Sequence, residues 1–183
     1  YDTISAFIKS IRGSDPDAAV FYLAKMLDSG EEPEYIARRM MISASEDIGN
    51  ADPYAITMAV SAFQTLRVIG MPEGRITLAQ AATYLASAPK SNRSYMAINR
   101  AMADVKQGVG RVIPPYLRDQ HQPLEAYGGY LYPHDYPGAY VSQRYLPLDM
   151  EMKKYYVPSN RGHEEIINQY LNTLHQEDES ENS

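Results

Sequence analysis

Neither cysteine nor tryptophan occurs in the 183 residues, and phenylalanine occurs only three times. Without a thiol there is no disulfide, no thiolate metal site and no cysteine nucleophile, which favours a reducing, cytosolic setting. No run approaches the roughly 18 to 20 uninterrupted apolar residues that a spanning helix needs, so no membrane partner is expected. Short catalytic signatures are missing as well. There is no Gly-Lys dipeptide, which excludes a Walker-type phosphate loop, because that loop needs lysine directly after its last glycine. Gly108-Val109-Gly110 lacks the third glycine of a dinucleotide fingerprint, and neither a Gly-x-Ser-x-Gly elbow nor a His-Glu-x-x-His pair is present. Nucleotide chemistry cannot begin from these residues alone, and we assign no catalytic, cofactor-binding or metal-binding residue.

What is present describes an ordinary globular chain, 22% charged beside 44% hydrophobic. It opens on Tyr1 with neither a methionine nor a basic-then-apolar leader, so we expect a segment of a longer chain without a secretory signal. The net charge of -6 is uneven. Residues 176–183 contribute Glu177, Asp178, Glu179 and Glu181 without a base, and residues 175–183 read as a disordered acidic tail. Residues 84–111 carry Lys90, Arg93, Arg100, Lys106 and Arg111 against Asp104 alone.

Proline and glycine divide the first 110 residues at a nearly even beat. Pro16, Pro33, Pro53, Pro72 and Pro89 fall 17, 20, 19 and 17 residues apart, and Gly13, Gly30, Gly49 and Gly70 stand shortly ahead of the first four. Glycine past a helix end and proline at a helix start is the expected asymmetry of helix termini. Asp15 and Asp52 are placed to cap the helices that follow them, as is Ser91 or Asn92 the next one. Between these marks the apolar spacing is helical: Ile4, Phe7, Ile8 and Ile11; Ala19, Leu23, Met26 and Leu27; Ile56, Ala59, Val60 and Phe63; Leu78, Ala81, Ala82 and Leu85. The pattern predicts six helices between Asp2 and Gln107. The segments share punctuation but not side chains, which favours a plain bundle over a repeat array.

After Gly110 the composition changes. Seven of the 12 prolines and nine of the 16 tyrosines lie between Arg111 and Pro158. Prolines this dense prevent long helices, so an irregular wrap is expected, in which Leu131 to Tyr136 and Tyr140 to Tyr145 are candidates for a small β-hairpin. A last helix is predicted from about Gly162 to Leu174. The expected organisation is thus a mainly α helical bundle over 1–110, a Tyr/Pro-rich wrap with a terminal helix over 111–174, and the tail.

Three constellations carry chemistry worth weighing. His134-Asp135, alone or with His121, is imaginable as an acid-base pair or half a metal site, but nothing fixes the spacing, and a turn capped by Asp135 explains the residues better. Glu46 and Asp47 sit unfavourably at a helix C-terminus, and an ion pair with Arg38, Arg39 or a neighbouring helix suits them better than a metal. Lys90, Arg93, Arg100, Lys106 and Arg111 are the candidates for contact with a phosphate backbone, which they would touch without reading sequence. The plainer alternative is a solvated face with an Arg100 to Asp104 pair. The downstream tyrosines could stack on unpaired bases or simply anchor the wrap.

Several ordered stretches together resemble one family. Ser10-Ile11-Arg12-Gly13-Ser14-Asp15-Pro16-Asp17-Ala18-Ala19, Ala44-Ser45-Glu46-Asp47-Ile48-Gly49-Asn50-Ala51-Asp52-Pro53, Gly70-Met71-Pro72-Glu73-Gly74 and Leu85-Ala86-Ser87-Ala88-Pro89-Lys90-Ser91-Asn92 are similar to the C-terminal half of the replication-associated recombination ATPases, clamp-loader-like AAA+ proteins. Tyr132-Pro133-His134-Asp135 and Tyr155-Tyr156-Val157-Pro158-Ser159-Asn160-Arg161-Gly162 fit the same family. The resemblance implies a non-catalytic oligomerisation and interaction domain resembling a clamp-loader collar. It also implies a full protein that uses ATP and Mg in a preceding module, assembles as a homotetramer, acts on DNA at replication forks and meets single-strand-binding protein. Its implied location is the cytoplasm, in association with the nucleoid. One departure stands out: where relatives commonly carry lysine after Leu117-Arg118, this chain runs Asp119-Gln120-His121-Gln122-Pro123-Leu124-Glu125, which weakens a DNA contact there. The alternative function is direct DNA binding through the basic helix, and a small enzyme built on His134 and Asp135 ranks third.

Overall fold

The computed structural model describes residues 1–119 and 129–181. Among them the chain is mainly α-helical, with no strand. The helices are α1 Asp2–Arg12, α2 Pro16–Asp28, α3 Pro33–Ser43, α4 Tyr54–Ile69, α5 Gly74–Ser87, α6 Arg93–Lys106 and α7 His163–Glu181. The six predicted before Gln107 are all present. By internal contacts the chain divides into two compact units, Tyr1–Met96 with Tyr156–Asn168, and Ala97–Tyr155 with Gln169–Ser183.

In the first unit α1 packs on α2, α2 on α5, α5 on α4 and α4 on α3. Ile4, Phe7, Ile8 and Ile11 of α1 and Leu78, Ala81, Ala82 and Leu85 of α5 are buried as their spacing predicts. The face of α4 is different from the expected one. Ala55, Ala59, Ala62 and Leu66 point inward, while Ile56 is exposed and Phe63 only partly buried. Small side chains let α4 approach its neighbours closely, and that packing outweighs the bulkier residues one position away. Met40 is fully buried in this core, and Met41 packs against it.

The helix ends follow the punctuation in part. Asp15 accepts a hydrogen bond from Ala18 N at 2.9 Å, and Pro16 and Pro33 open α2 and α3. Pro53 and Pro72 lie just outside the helices they were expected to open, and Pro89 precedes a short non-helical stretch before α6. At the end of α1 the left-handed residue is Ser14, φ +62°, and not Gly13, φ -83°. Asp15 N reaches Ser10 O at 2.9 Å and Ser14 N reaches Ile11 O at 3.1 Å, the paired bonds of a Schellman ending, so geometry places the strained position one residue later.

Beyond Ser43 the backbone widens into a π-turn, Ala44–Ile48, and then a 3-10 turn, Gly49–Ala51. Asp47 is buried there, held by Arg12 Nε of α1 at 2.7 Å and by Ser43 Oγ at 3.0 Å. Glu46 lies 4.0 Å from the same arginine. The partner is therefore a neighbouring helix, one of the expected alternatives, whereas Arg38 pairs with Glu32 and Glu34. That hydrogen bond to Asp47 raises the Arg12 pKa further.

In the second unit the expected hairpin is replaced by two 3-10 turns, Pro133–Asp135 and Pro137–Ala139. Two prolines without an N–H and the left-handed Gly138 and Ala139 interrupt any ladder. The two segments still meet, through a side chain: Gln143 Nε2 donates to Leu131 O at 2.7 Å and its Oε1 accepts from Leu131 N at 3.2 Å. Arg144 organises the following loop by donating to the carbonyls of Leu146, Pro147 and Met150. The last helix runs past Leu174 to Glu181, into the stretch expected to be a disordered tail. His121 and residues 120–125 of the divergent loop lie outside the described residues.

Candidate interaction site along the sixth helix

α6 opens on Ser91, whose Oγ accepts from Arg93 N at 3.2 Å, and closes on Gly108. Val109 N bonds to Asp104 O and Gly108 N to Val105 O, both at 3.0 Å, with Gly108 at φ +80°, a conformation that glycine adopts without strain. The glycines that form no dinucleotide loop thus terminate this helix.

The five basic candidates divide. Arg93 and Arg100, seven residues apart, fall within about 20° of one another on the helix, and neither is ion-paired among the described residues. Lys106 lies about 140° round from Arg93, on another side. Lys90 stands before the helix and closes the end of α5, with Nζ donating to Ala88 O at 2.6 Å, Ala86 O at 3.1 Å and Ser14 Oγ at 3.2 Å. Burial pushes its ammonium pKa down. Arg111 folds back over Gly108, while its backbone N and that of Val112 each donate to Asp149 at 2.9 Å. Asp104 does not take up Arg100. Its carboxylate accepts from Lys153 Nζ at 2.6 Å and from the Tyr155 hydroxyl, and these bonds hold its pKa below the usual range.

The opposite side of α6 is apolar and uncovered. Tyr95, Ile98, Met102 and Val105 are 41, 55, 52 and 70% exposed, and the helix buries none of its side chains. At 100° per residue the four fall within an arc of about 80°, facing away from Arg93 and Arg100. The spacing of three and four residues that marks this stripe is present in the sequence alone, as are the arginines on the other side.

The other residues missed by sequence lie where Tyr156–Asn168 returns to the helical bundle of the first unit. Glu164 is fully buried and accepts from Ser159 Oγ and the Tyr156 hydroxyl, each at 2.7 Å, and from Ser159 N at 3.3 Å. Burial alone would raise its pKa, but the hydroxyls of Ser159, Ser91 and Tyr156 together hold it below the ordinary carboxylate value. Asn50 Nδ2 reaches the Tyr156 oxygen at 3.4 Å, and Arg161 Nε donates to Lys90 O at 2.6 Å. Gly162, φ +56°, lies so close to the Ala51 carbonyl and Pro89 that a Cβ would overlap both. His134 and Asp135 sit on an exposed 3-10 turn, with the Tyr132 ring 5.2 Å from the imidazole. No group of metal-ligating side chains occurs among the described residues, nor any helix long and apolar enough to cross a membrane.

Residues 13–175 match the family model described as MgsA AAA+ ATPase C terminal. Over 178 residues, 95% of its length, the chain is 51% identical to an uncharacterized AAA domain-containing protein of Mycobacterium tuberculosis, covering 39% of that protein. It is 43% identical over 98% of its length to the replication-associated recombination protein A of Haemophilus influenzae, covering 42% of it. It is 38% identical over 85% of its length to the ATPase WRNIP1 of Dictyostelium discoideum, covering 18% of it. The chain therefore spans about two fifths of the length of the bacterial relatives it matches.

Proposed function

The chain belongs to the family of MgsA AAA+ ATPase C-terminal domains, and on that footing we propose that it is the assembly and interaction domain of a DNA-dependent ATPase acting in replication-fork maintenance, recombination and repair. The observation that carries this reading is the uncovered apolar side of α6. A helix that buries none of its side chains and exposes four large apolar ones is built to meet another surface. In this reading ATP and Mg are bound by a module outside these residues, and the fragment supplies no catalytic group to hydrolysis. The assembled state is a clamp-loader-like homotetramer that works in the cytoplasm, in association with the nucleoid, and meets DNA and single-strand-binding protein. Light scattering of the chain at tens of micromolar should give a mass above that of one copy, and a monomer at that concentration overturns the assembly reading.

A second reading is direct DNA binding, favoured by Arg93 and Arg100 sharing one face of α6 without a carboxylate partner among the described residues. Cations so placed contact phosphates and lose affinity steeply with salt. Titration with single-stranded DNA across a salt series, repeated with Arg93 and Arg100 changed to Ala, tests it. Binding that is absent at low salt, or unchanged in the double variant, removes it.

A further inference from the structure

We infer that Lys153 is a further phosphate contact for single-stranded DNA beside Arg100, and that Asp104 restrains it. The inference rests on the DNA reading and adds to it a residue and a control. Arg100 and Asp104 are four residues apart on α6, so they lie about 40° and about 6 Å from one another along the same side of the helix. Lys153, from 49 residues further along the chain, sets its Nζ 2.6 Å from Asp104 Oδ2. A second cation is thereby brought to the side of α6 that already carries Arg100. All three residues belong to one compact unit, Ala97–Tyr155 with Gln169–Ser183.

Charge separates this arrangement from an ordinary surface ion pair. Asp104 is one anion beside two cations, and Glu151, the nearest other acid to Lys153 in sequence, is exposed and pairs with neither among the described residues. The hydrogen bond to Asp104 raises the Lys153 pKa and the charge of Arg100 opposes the rise, so the two cations feel one another. An ammonium has three N–H donors, of which Asp104 takes one, while the Tyr155 ring lies 5.2 Å from Nζ. Lys153 is 45% exposed, so its remaining donors face water, and the guanidinium of Arg100 has no carboxylate among the described residues. Two neighbouring cations with donors to spare match a phosphate, which supplies the negative charge that Asp104 alone does not. Such a contact holds the backbone and reads no base. Asp104 sets its strength, because the carboxylate occupies one ammonium donor and repels an incoming phosphate.

The experiment is fluorescence anisotropy of a labelled oligothymidylate strand titrated with the whole 183-residue chain across a salt series. It compares the unaltered chain, Lys153→Gln, Lys153→Arg, Asp104→Asn and the Arg93 and Arg100 double alanine variant. Lys153→Gln should lower affinity about fivefold at low salt and flatten the slope of log affinity against log salt by about 0.7, the loss of one phosphate contact, while Lys153→Arg keeps both. Asp104→Asn should raise affinity at least about threefold, since a repelling charge is removed and Lys153 is released. An unchanged affinity and slope in Lys153→Gln overturns the contact, and no gain in Asp104→Asn overturns the restraint. Either result leaves the DNA reading standing where the double alanine variant still loses binding. An unaltered chain that binds no strand at low salt overturns both. Where Asp104→Asn loses far-UV circular dichroism, Lys153→Gln against Lys153→Arg decides, because that side chain is exposed and its removal leaves α6 intact.

Discussion

Glu164 offers the sharpest test of how the returning segment is held. Its carboxylate takes four donors in a fully buried position: Ser159 Oγ, Ser159 N and the hydroxyls of Tyr156 and Ser91. Glu164→Ala deletes all four bonds. Hydrogen bonds to a charged group contribute about 1.5–3 kcal/mol each, and leaving buried donors unpaired adds to the loss. Asn50 still donates to the Tyr156 oxygen and Arg161 N to Ser159 Oγ, so both hydroxyls stay anchored although their own protons lose their acceptor. The carboxylate also no longer has to be desolvated, so the net loss should be about 3 kcal/mol. Glu164→Gln preserves shape and one acceptor oxygen, and the Tyr156 hydroxyl can turn to accept from the new amide, so that change should cost about 1 kcal/mol. Urea denaturation followed by circular dichroism, with hydrogen exchange resolved over residues 156–168, measures both. A loss under 1 kcal/mol for Ala, or equal losses for Ala and Gln, would refute the argument. The sign of the pH dependence follows from the same contacts. Glu164 has its pKa depressed in the fold, so its contribution is complete above the unfolded carboxylate value of about 4.3 and disappears as pH falls through the lower folded value. The gap between the unaltered chain and Glu164→Gln should therefore narrow below about pH 4, and a gap constant down to pH 2 contradicts it.

Two further outcomes are expected. The Tyr84 hydroxyl donates to Asp52 Oδ2 at 2.6 Å, which pushes its pKa up to about 12, so in an ultraviolet titration Asp52→Asn should show more ionised tyrosine at pH 11 than the unaltered chain. Identical titrations of the two proteins speak against the bond. Gly74 is buried at the start of α5, where a Cβ would press on Leu66 Cδ1 and come within 3.3 Å of Met71 Sδ. Gly74→Ala should then cost about 1–3 kcal/mol by overpacking, and a neutral or stabilised variant in thermal melts would show that Leu66 moves freely.

The helices were legible because their signals are local. Asp15 beside Pro16, and Ile4 with Phe7, Ile8 and Ile11, need only their own neighbours to be understood. The register of α4 was not, since alanine gives no hint of facing inward until another helix is seen to approach it. Ser14 escaped for a similar reason: Gly13 looked like the strained residue, yet the hydrogen-bond count fixes the strain one position on. The missing hairpin follows from Pro133 and Pro137, which offer no N–H, and from the left-handed Gly138 and Ala139, whose conformation shows only in the folded backbone. Glu164 was illegible because an acid in the first turn of a helix ordinarily faces water and favours the dipole. Its burial depends on Tyr156, in the irregular stretch just ahead of the helix, and on Ser91, from a distant part of the chain. At α6 the arginines stand out singly by their charge, whereas the stripe opposite them exists only as a spacing of three and four residues.

The division of the chain has a topological consequence. The polypeptide leaves the first unit after Met96 and re-enters it at Tyr156, so Ala97–Tyr155 is an excursion tethered at both ends and not an appendage that can be shortened from one side. A protease cut inside the excursion leaves two fragments still joined through Glu164, Tyr156, Asn50 and Arg161. A truncation ending before residue 156 does something quite different: it strips the Ala51 and Lys90 carbonyls of the segment packed on them and opens the π-turn side of the bundle to water. Deletion boundaries for this domain are therefore set by where the chain comes back, some sixty residues after it departs.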